Sequence, residues 1–157
     1  MVVAEKGCCV TGHRDIPRHQ VERVEQALRR EVRAAIEEGY TRFISGFAPG
    51  VDLMFAAIVV QEQASHPQLR LEAAIPYAGR MNTKNPQVQE LLQACSCVKV
   101  MCQHYQPACY MQRNRFMVEC AQRVLAVYDG RAGGGTRYTM DYAYKMGRDV
   151  RVIALEQ

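Results

Sequence analysis

Short apolar segments alternate with longer amphipathic segments along nearly the whole chain, and this alternation limits the fold more than any other feature of the sequence. The short segments predict strands at residues 7–10, 42–45, 69–75, 98–101, 124–128 and 150–155. Strands that alternate with helices favour a parallel sheet with helices on both faces. The sequence therefore predicts an α/β fold: a three-layer Rossmann-like domain with a mostly parallel sheet of about six strands flanked by helices.

Apolar residues at spacings of three and four predict the helices between these strands. The clearest example ends near Gly39 and carries Val21, Val24, Leu28 and Val32 on one face. Further helices are predicted from residue 51 onward and over residues 86–94, 111–122 and 136–146.

The composition limits the expected partners and location. With 157 residues, 48% of them hydrophobic and 23% charged, the chain falls within the range of one soluble domain, predicted over residues 1–157. The net charge of +4 favours anionic ligands, but no clustered basic stripe indicates a dedicated nucleic-acid binder. The longest apolar stretch, residues 51–60, contains Asp52 and is too short to span a bilayer. We therefore expect a cytoplasmic protein with no membrane partner.

Seven cysteines raise the question of a metal site, but the chain contains no C-x-x-C pair. An odd count, one adjacent pair (Cys8 and Cys9) and several positions in apolar runs fit reduced, buried thiols better. We expect no metal, and no motif calls for a cofactor.

Five loops that follow predicted strands carry polar or glycine-rich residues: 11–14, 45–52, 76–80, 105–114 and 129–136. Ligands of parallel α/β sheets bind outside the carboxyl ends of the strands, so these loops are the expected binding region. In the last loop, Gly130 and three consecutive glycines precede Thr136, which we expect to cap the following helix. Unpaired N–H groups and the positive end of a helix dipole favour a phosphate or another anion there.

Four motifs fall in these loops. They are Thr11-Gly12-His13-Arg14; Ser45-Gly46 with Gly50-Val51-Asp52; Arg113-Asn114-Arg115 with Met117-Val118; and Tyr128-Asp129-Gly130 with Gly134-Gly135-Thr136 and Tyr142-Ala143. In this order and spacing the motifs resemble the SLOG superfamily, which contains the Smf/DprA and LOG Rossmann-like proteins, and most closely its YspA/YpsA-like branch. The resemblance implies a nucleotide-derived ligand at the strand ends, with the Gly134-Gly135-Thr136 loop on its phosphate.

The candidate ligand-binding residues come from these motifs and loops. Arg14 and Arg113 are the expected cations, because a guanidinium pairs with phosphate in bidentate geometry. Asp52 has two interpretations, a first-turn carboxylate that favours the helix dipole or a polar group that faces the ligand. Asp129 has three: it caps its loop, bonds its own turn or holds a ribose hydroxyl. The full set is Thr11, Gly12, His13, Arg14, Ser45, Gly46, Gly50, Asp52, Pro76, Arg113, Asn114, Asp129, Gly130, Gly134, Gly135 and Thr136.

The resemblance argues for binding rather than catalysis. LOG proteins release a base from a nucleoside monophosphate and use a glutamate in their glycine-rich motif, together with an upstream arginine. Arg113 matches that arginine, but Thr139 stands at the glutamate position and Asn114 replaces the lysine that follows the arginine. We therefore assign no catalytic residue and expect a sensor or signalling module. Base release is the alternative, with Asp52, Asp129 or Asp141 in place of the glutamate.

Single-stranded DNA binding is a further alternative. The DprA proteins bind single-stranded DNA, and their Ser-Gly-x-x-x-Gly-Ile-Asp stretch is similar to residues 45–52, although Ala56 replaces the histidine that often follows. Proteins that bind single-stranded nucleic acid without sequence preference combine a basic groove with aromatic side chains on which bases stack. The eight tyrosines and four phenylalanines of the chain neither establish nor exclude such a surface. A nucleotide-like small molecule is thus the expected partner, nucleic acid is the less favoured one, and a homo-oligomer stays open.

Overall fold

A computed structural model describes residues 5–156 and shows six strands and five α-helices in strict alternation. The strands and helices, in chain order, are β1 (Lys6–Gly12), α1 (Val21–Glu37), β2 (Tyr40–Ser45), α2 (Val51–Glu62), β3 (Arg70–Tyr77), α3 (Pro86–Gln93), β4 (Cys97–Cys102), α4 (Cys109–Cys120), β5 (Arg123–Tyr128), α5 (Gly135–Lys145) and β6 (Asp149–Ala154). Residues 1–4 and 157 of the predicted domain lie outside the described residues. No helix of residues 5–156 has the length and apolarity needed to cross a bilayer.

The six strands form one sheet in the order β4-β3-β2-β1-β5-β6, and every neighbouring pair is parallel. The predicted α/β Rossmann-like fold is confirmed. From β1 the chain moves strand by strand to β4 at one edge, then returns to place β5 on the other side of β1. The strand order therefore reverses between β1 and β5, which is where such sheets bind ligands.

Helices cover both faces of the sheet. Neighbours along β1 point to opposite faces, so Cys8 and Val10 belong to the core under α1 and α2, while Cys9 belongs to the core under α4 and α5. The predicted stripe of α1 is buried at Val24 and Leu28, as expected for an amphipathic helix on a sheet. Each fully buried large side chain of this kind contributes about 1.5–3 kcal/mol to folding.

Cysteine burial varies along the chain. Cys8, Cys9 and Cys109 are buried free thiols, whereas Cys97 is exposed on β4. Burial raises the pKa of the Cys8 thiol to about 12, so this side chain is an inert part of the core.

Two strands extend further toward the ligand edge than their apolar runs predict. β1 continues past Val10 to Gly12, and β3 continues past Ile75 through Pro76. β2 pairs with β3 only as far as Ala73. The N–H group that Pro76 lacks is therefore not needed for a hydrogen bond to β2. Strand pairing, which the apolar pattern does not contain, decides where these strands end.

Candidate functional site

An open cleft of about 370 Å³ lies at the reversal point between β1 and β5. The loops after β1, β2 and β5 form its walls, together with the end of β1, the first turns of α2 and α5, and α4 as far as Met117. The structure brings nine of the predicted residues together in its lining: Thr11, Gly12, His13, Arg14, Asp52, Arg113, Asn114, Gly135 and Thr136.

The end of β1 is packed tightly against its surroundings. A Cβ atom on Gly12 would lie 2.8 Å from side-chain carbons of Val51, so this position needs glycine for close approach to α2. His13 is buried, and its Nε2 atom lies 3.2 Å from both the backbone nitrogen and Oδ1 of Asp129. Burial is the main effect on His13 and lowers its pKa, against the opposing pull of Asp129. In the neutral ring Nε2 accepts the Asp129 N–H group, which joins the loops after β1 and β5.

Arg113 is a buried cation, with 5% of its surface exposed. Its Nη1 donates to the carbonyl oxygens of Gly46 at 2.7 Å and Ala74 at 3.4 Å, and its Nε donates to Oδ1 of Asn114 at 2.8 Å. Desolvation lowers the pKa of Arg113, while Asp52 acts in the opposite direction. Backbone carbonyls and an amide therefore fix this guanidinium in place.

Asp52 belongs both to a helix and to the cleft. It lies in the first turn of α2 and also lines the cleft. Its Oδ2 atom accepts the backbone N–H of Ala48 at 3.2 Å. Burial raises the pKa of this carboxyl group, and the charge of Arg113 offsets part of that rise.

Arg14 and Arg113 meet at one aromatic ring. Their guanidinium carbons lie 5.5 Å and 5.7 Å from the ring centroid of Tyr110, within the range of cation–π attraction. Arg14 is exposed and comes from the loop after β1, whereas Arg113 is buried on α4. Two positive groups from different elements thus face the same cleft, which makes it attractive to anions.

The first turn of α5 also faces the cleft. Gly134 is the N-cap residue of this helix, with a φ of 98° and no side-chain capping hydrogen bond. The prediction of Thr136 as the cap is wrong, because α5 starts one residue earlier and glycine adopts this left-handed backbone conformation without the strain that threonine would suffer. Gly135 and Thr136 instead line the cleft from inside the helix, where first-turn N–H groups favour an anion.

Thr139 lies outside the cleft lining. It is fully buried, and its hydroxyl donates to the carbonyl oxygen of Gly135 at 2.8 Å, one turn back along its own helix. Asp141 lies on the exposed side of α5, where it pairs with Arg137 at 3.0 Å. Of the three carboxylates considered as substitutes for the glutamate, Asp52 lines the cleft, and Asp129 contacts the lining residues His13 and Arg131.

The remaining predicted residues lie outside the lining of the cleft. Asp129 bonds its own turn at the backbone nitrogen of Arg131, 3.0 Å away, and pairs with the Arg131 side chain, which lowers the pKa of Asp129 to about 2. The hydroxyl of Ser45 donates to the Asp52 carbonyl at 2.8 Å. Positive φ angles occur at the turn glycines Gly50, Gly130 and Gly134. A small cavity of about 20 Å³ beside the cleft is lined in part by Gly46 and Pro76.

Several lining residues were not among the predicted set. Asp15, Ala48, Tyr110, Met117 and Arg131 line the cleft, and three of them, Ala48, Tyr110 and Arg131, fall within the predicted strand-end loops. Arg131 lies three residues after the end of β5, so its place in a strand-end loop was an available signal. The others depend on how separate loops meet.

A wholly parallel sheet with a cleft at its reversal point defines a Rossmann-like α/β protein. The model of the YspA SLOG family matches residues 8–155, so the chain belongs to this family. The resemblance seen in the four loop motifs is confirmed.

Similar proteins extend this assignment. UPF0398 proteins of Bacillus thuringiensis (strain Al Hakam) and Bacillus cereus (strain AH187) are each 29% identical over 133 residues, which cover 81% of this chain and 72% of the relative. Among solved structures, DNA processing protein A from Helicobacter pylori is similar, with a TM-score of 0.62, 14% identity and coverage of 96% of this chain and 66% of that one. That structure is described for its single-stranded DNA binding mode. The X-ray structure of TM1055 has a TM-score of 0.59 at 17% identity, with coverage of 92% and 72%. At these identities the two structures share the fold.

Proposed function

We propose that this protein binds a nucleotide or a nucleotide-derived ligand in the cleft and acts as a sensor or signalling module. The observation that carries the proposal is the convergence of Arg14, Arg113 and the first turn of α5 on one cavity of about 370 Å³. A cavity of this size falls within the range of small-molecule sites.

The cations of the cleft are available to an anion. Within residues 5–156, neither Arg14 nor Arg113 forms an ion pair. The Nε and Nη1 atoms of Arg113 donate hydrogen bonds to uncharged oxygens. A phosphate at the first turn of α5 would accept the backbone N–H groups of Gly135 and Thr136. It would also add to the partial compensation that Asp52 already gives the buried guanidinium of Arg113.

The chemistry at Thr139 supports binding without cleavage. Oxocarbenium-like base release calls for a carboxylate near the sugar, and the Thr139 hydroxyl is already bonded to Gly135. A ligand that is held and not consumed suits a sensor, because its occupancy then reports its concentration.

Calorimetric titration with AMP, ADP, ATP, NAD and inorganic pyrophosphate tests the proposal. We expect heat with at least one nucleotide, and a loss of about tenfold to a hundredfold in affinity on Arg113→Ala, because a charge-assisted hydrogen bond is removed. Arg33→Ala is the matched control, since it deletes the same charge from the exposed face of α1, where Arg33 pairs with Glu62. No heat with any compound, or equal losses in both variants, would sink the idea.

Base release remains the second candidate, because Asp52 lines the cleft beside Arg113. Burial raises the pKa of this carboxyl group, which is the direction that a general acid needs at neutral pH. Chromatography of AMP incubated with the protein would then show free adenine, and Asp52→Asn would abolish it. Asp15→Asn is the control, since Asp15 is an exposed carboxylate of the same cleft. A flat chromatogram at high protein concentration retires this candidate.

A further inference from the structure

Three tyrosines form a cluster that reaches the cleft through Tyr110. Tyr77 ends β3, Tyr105 lies in the loop after β4, and Tyr110 is in the first turn of α4. The ring centroids of Tyr77 and Tyr105 are 5.4 Å apart at 79°, and those of Tyr77 and Tyr110 are 6.3 Å apart at 72°. Edge-to-face contacts of this kind orient each ring against its neighbour.

The cluster connects two cavities. Tyr110 lines the cleft, while Tyr77 lines a second cavity of about 470 Å³ together with Arg80 and Lys84. The small cavity between them is lined by Tyr110 and Arg80. The small cavity shares Tyr110 with the cleft and Arg80 with the second cavity, so the three cavities adjoin one another.

Tyr105 stands out because the fold does not bury it. It is 62% exposed, the highest value among the large hydrophobic side chains of residues 5–156. Its loop is nevertheless held at both ends of the turn, since Cys109 Sγ accepts the Gln106 N–H at 3.3 Å and lies 3.7 Å from the His104 carbonyl oxygen. The anchored loop thus holds an exposed aromatic ring beside Tyr77, where it is accessible to a ligand.

We propose that Tyr105, Tyr77 and Tyr110 form a subsite that stacks the nucleobase of the ligand, while its phosphate lies at the first turn of α5. This inference rests on the proposed function. Nucleobases stack on aromatic side chains through their π faces, and such stacking tolerates any base. Arg14 and Arg113, which already lie near the Tyr110 ring, then stand between the base and the phosphate. The ligand class is one that carries an aromatic base, as opposed to a sugar phosphate or a free phosphate.

The test compares ADP with inorganic pyrophosphate, which carry the same diphosphate but differ by the nucleoside. Calorimetry is performed on the wild-type protein and on the variants Tyr105→Ala, Tyr105→Phe, Tyr77→Ala and Arg113→Ala. We expect Tyr105→Ala to weaken ADP binding about tenfold and to leave pyrophosphate binding unchanged, because one stacking contact is lost. Tyr105→Phe keeps the ring and should bind ADP like the wild type. Arg113→Ala should weaken both compounds.

The outcomes separate this subsite from the proposed function. If Tyr105→Ala and Tyr77→Ala bind ADP like the wild type while Arg113→Ala does not, the base lies elsewhere and the inference is overturned, yet the phosphate site stands. Binding of neither compound by the wild type would overturn both proposals. Tighter binding of oligo-dT than of ADP, lost in Tyr105→Ala, would overturn the small-ligand assignment in favour of a nucleic-acid strand. Because Tyr105 is exposed, we expect its variants to keep the wild-type Tm.

Discussion

Gly46 has no side chain, and this leaves room for the side chains of Arg113 and Asp52. A Cβ atom at this position would lie 2.6 Å from Nη1 of Arg113 and 2.8 Å from Oδ2 of Asp52. The Gly46 carbonyl also accepts a hydrogen bond from that same Nη1 atom. The position of the buried cation in the cleft therefore depends on one glycine in the loop after β2.

Replacing Gly46 tests whether the exact placement of Arg113 matters for binding. We expect Gly46→Ala to displace the guanidinium and to weaken ADP binding about tenfold, which corresponds to one weakened charge-assisted hydrogen bond. Gly133→Ala is the matched control, because a Cβ atom there meets nothing within 4 Å. Equal affinities of the two variants in calorimetry would contradict this role for Gly46.

His13 gives the protein a pH dependence with a defined sign. Burial lowers its pKa in the folded state from the ordinary value of 6.5. As the pH falls below about 6.5, the unfolded chain takes up a proton that the folded protein resists, so the His13 contribution to stability is lost.

The matched measurement is urea denaturation of the wild type and of His13→Gln at pH 7 and at pH 5. Other titrating groups are common to both proteins, so the difference between them isolates His13. We expect the free energy of unfolding to fall less in His13→Gln than in the wild type over this interval. An equal or larger fall in the variant would show that the ring is not held neutral.

At the scale of elements, Arg123 joins the amino ends of three strands, β2, β5 and β6, to the carboxyl end of α1. It is 2% exposed at the start of β5. Its guanidinium donates two hydrogen bonds of 2.9 Å to Glu38, after α1, and one of 2.9 Å to Asp149 of β6. The ring of Tyr40, at the start of β2, lies 4.7 Å from its guanidinium carbon. This network lies at the edge of the sheet opposite the cleft.

Arg123→Ala should therefore lower stability and spare binding. We expect a loss of about 2–3 kcal/mol in the free energy of unfolding, since charge-assisted hydrogen bonds of a buried donor are removed. Arg151→Ala, which removes an exposed partner of the same Asp149, should cost less than about 1 kcal/mol. ADP affinity measured by calorimetry should match the wild type in both. A large affinity loss in Arg123→Ala would mean that the two edges of the sheet are coupled.

Sequence periodicity was sufficient to predict every strand and α-helix, although the apolar run of β4 is exposed or half-buried and forms no buried face. The ends of the elements were harder, since they depend on neighbours. β3 continues through Pro76 because Tyr77 still pairs with Cys102 of β4, and α5 starts at Gly135 because Gly134 adopts a positive φ angle. Neither the strand register nor a backbone dihedral angle is written in the pattern of apolar residues.

The site was predictable to the extent that strand ends define it. Arg14, Arg113 and Thr136 reach the cleft because their loops or helices begin at the carboxyl edge of the sheet. Ser45 and Gly50 share that edge but serve the turn before α2. Contacts between loops decide which residues line the cleft and which support a turn. Those contacts form only when β1, β2 and β5 are placed side by side.

At the scale of the whole molecule, Arg14 and Arg113 lie at the edge of the sheet opposite the Arg123 network. The amino edge carries the paired network of Arg123, whereas the carboxyl edge carries Arg14 and Arg113, neither of which forms an ion pair within residues 5–156. Three arginines and two aspartates line the cleft, so its lining carries a net positive charge. An anionic ligand would supply there the compensation that carboxylates supply at the other edge.

The central claim is that a nucleotide phosphate binds at the first turn of α5, and amide NMR shifts during an ADP titration test it most directly. The account predicts that the largest ¹H–¹⁵N shifts occur at Gly135 and Thr136, with smaller ones at Gly12 and Arg14. In Arg113→Ala the same shifts should appear only at higher ADP concentration. Shifts confined to α1 and α2, or no shift at Gly135 and Thr136 at saturating ADP, would contradict the account.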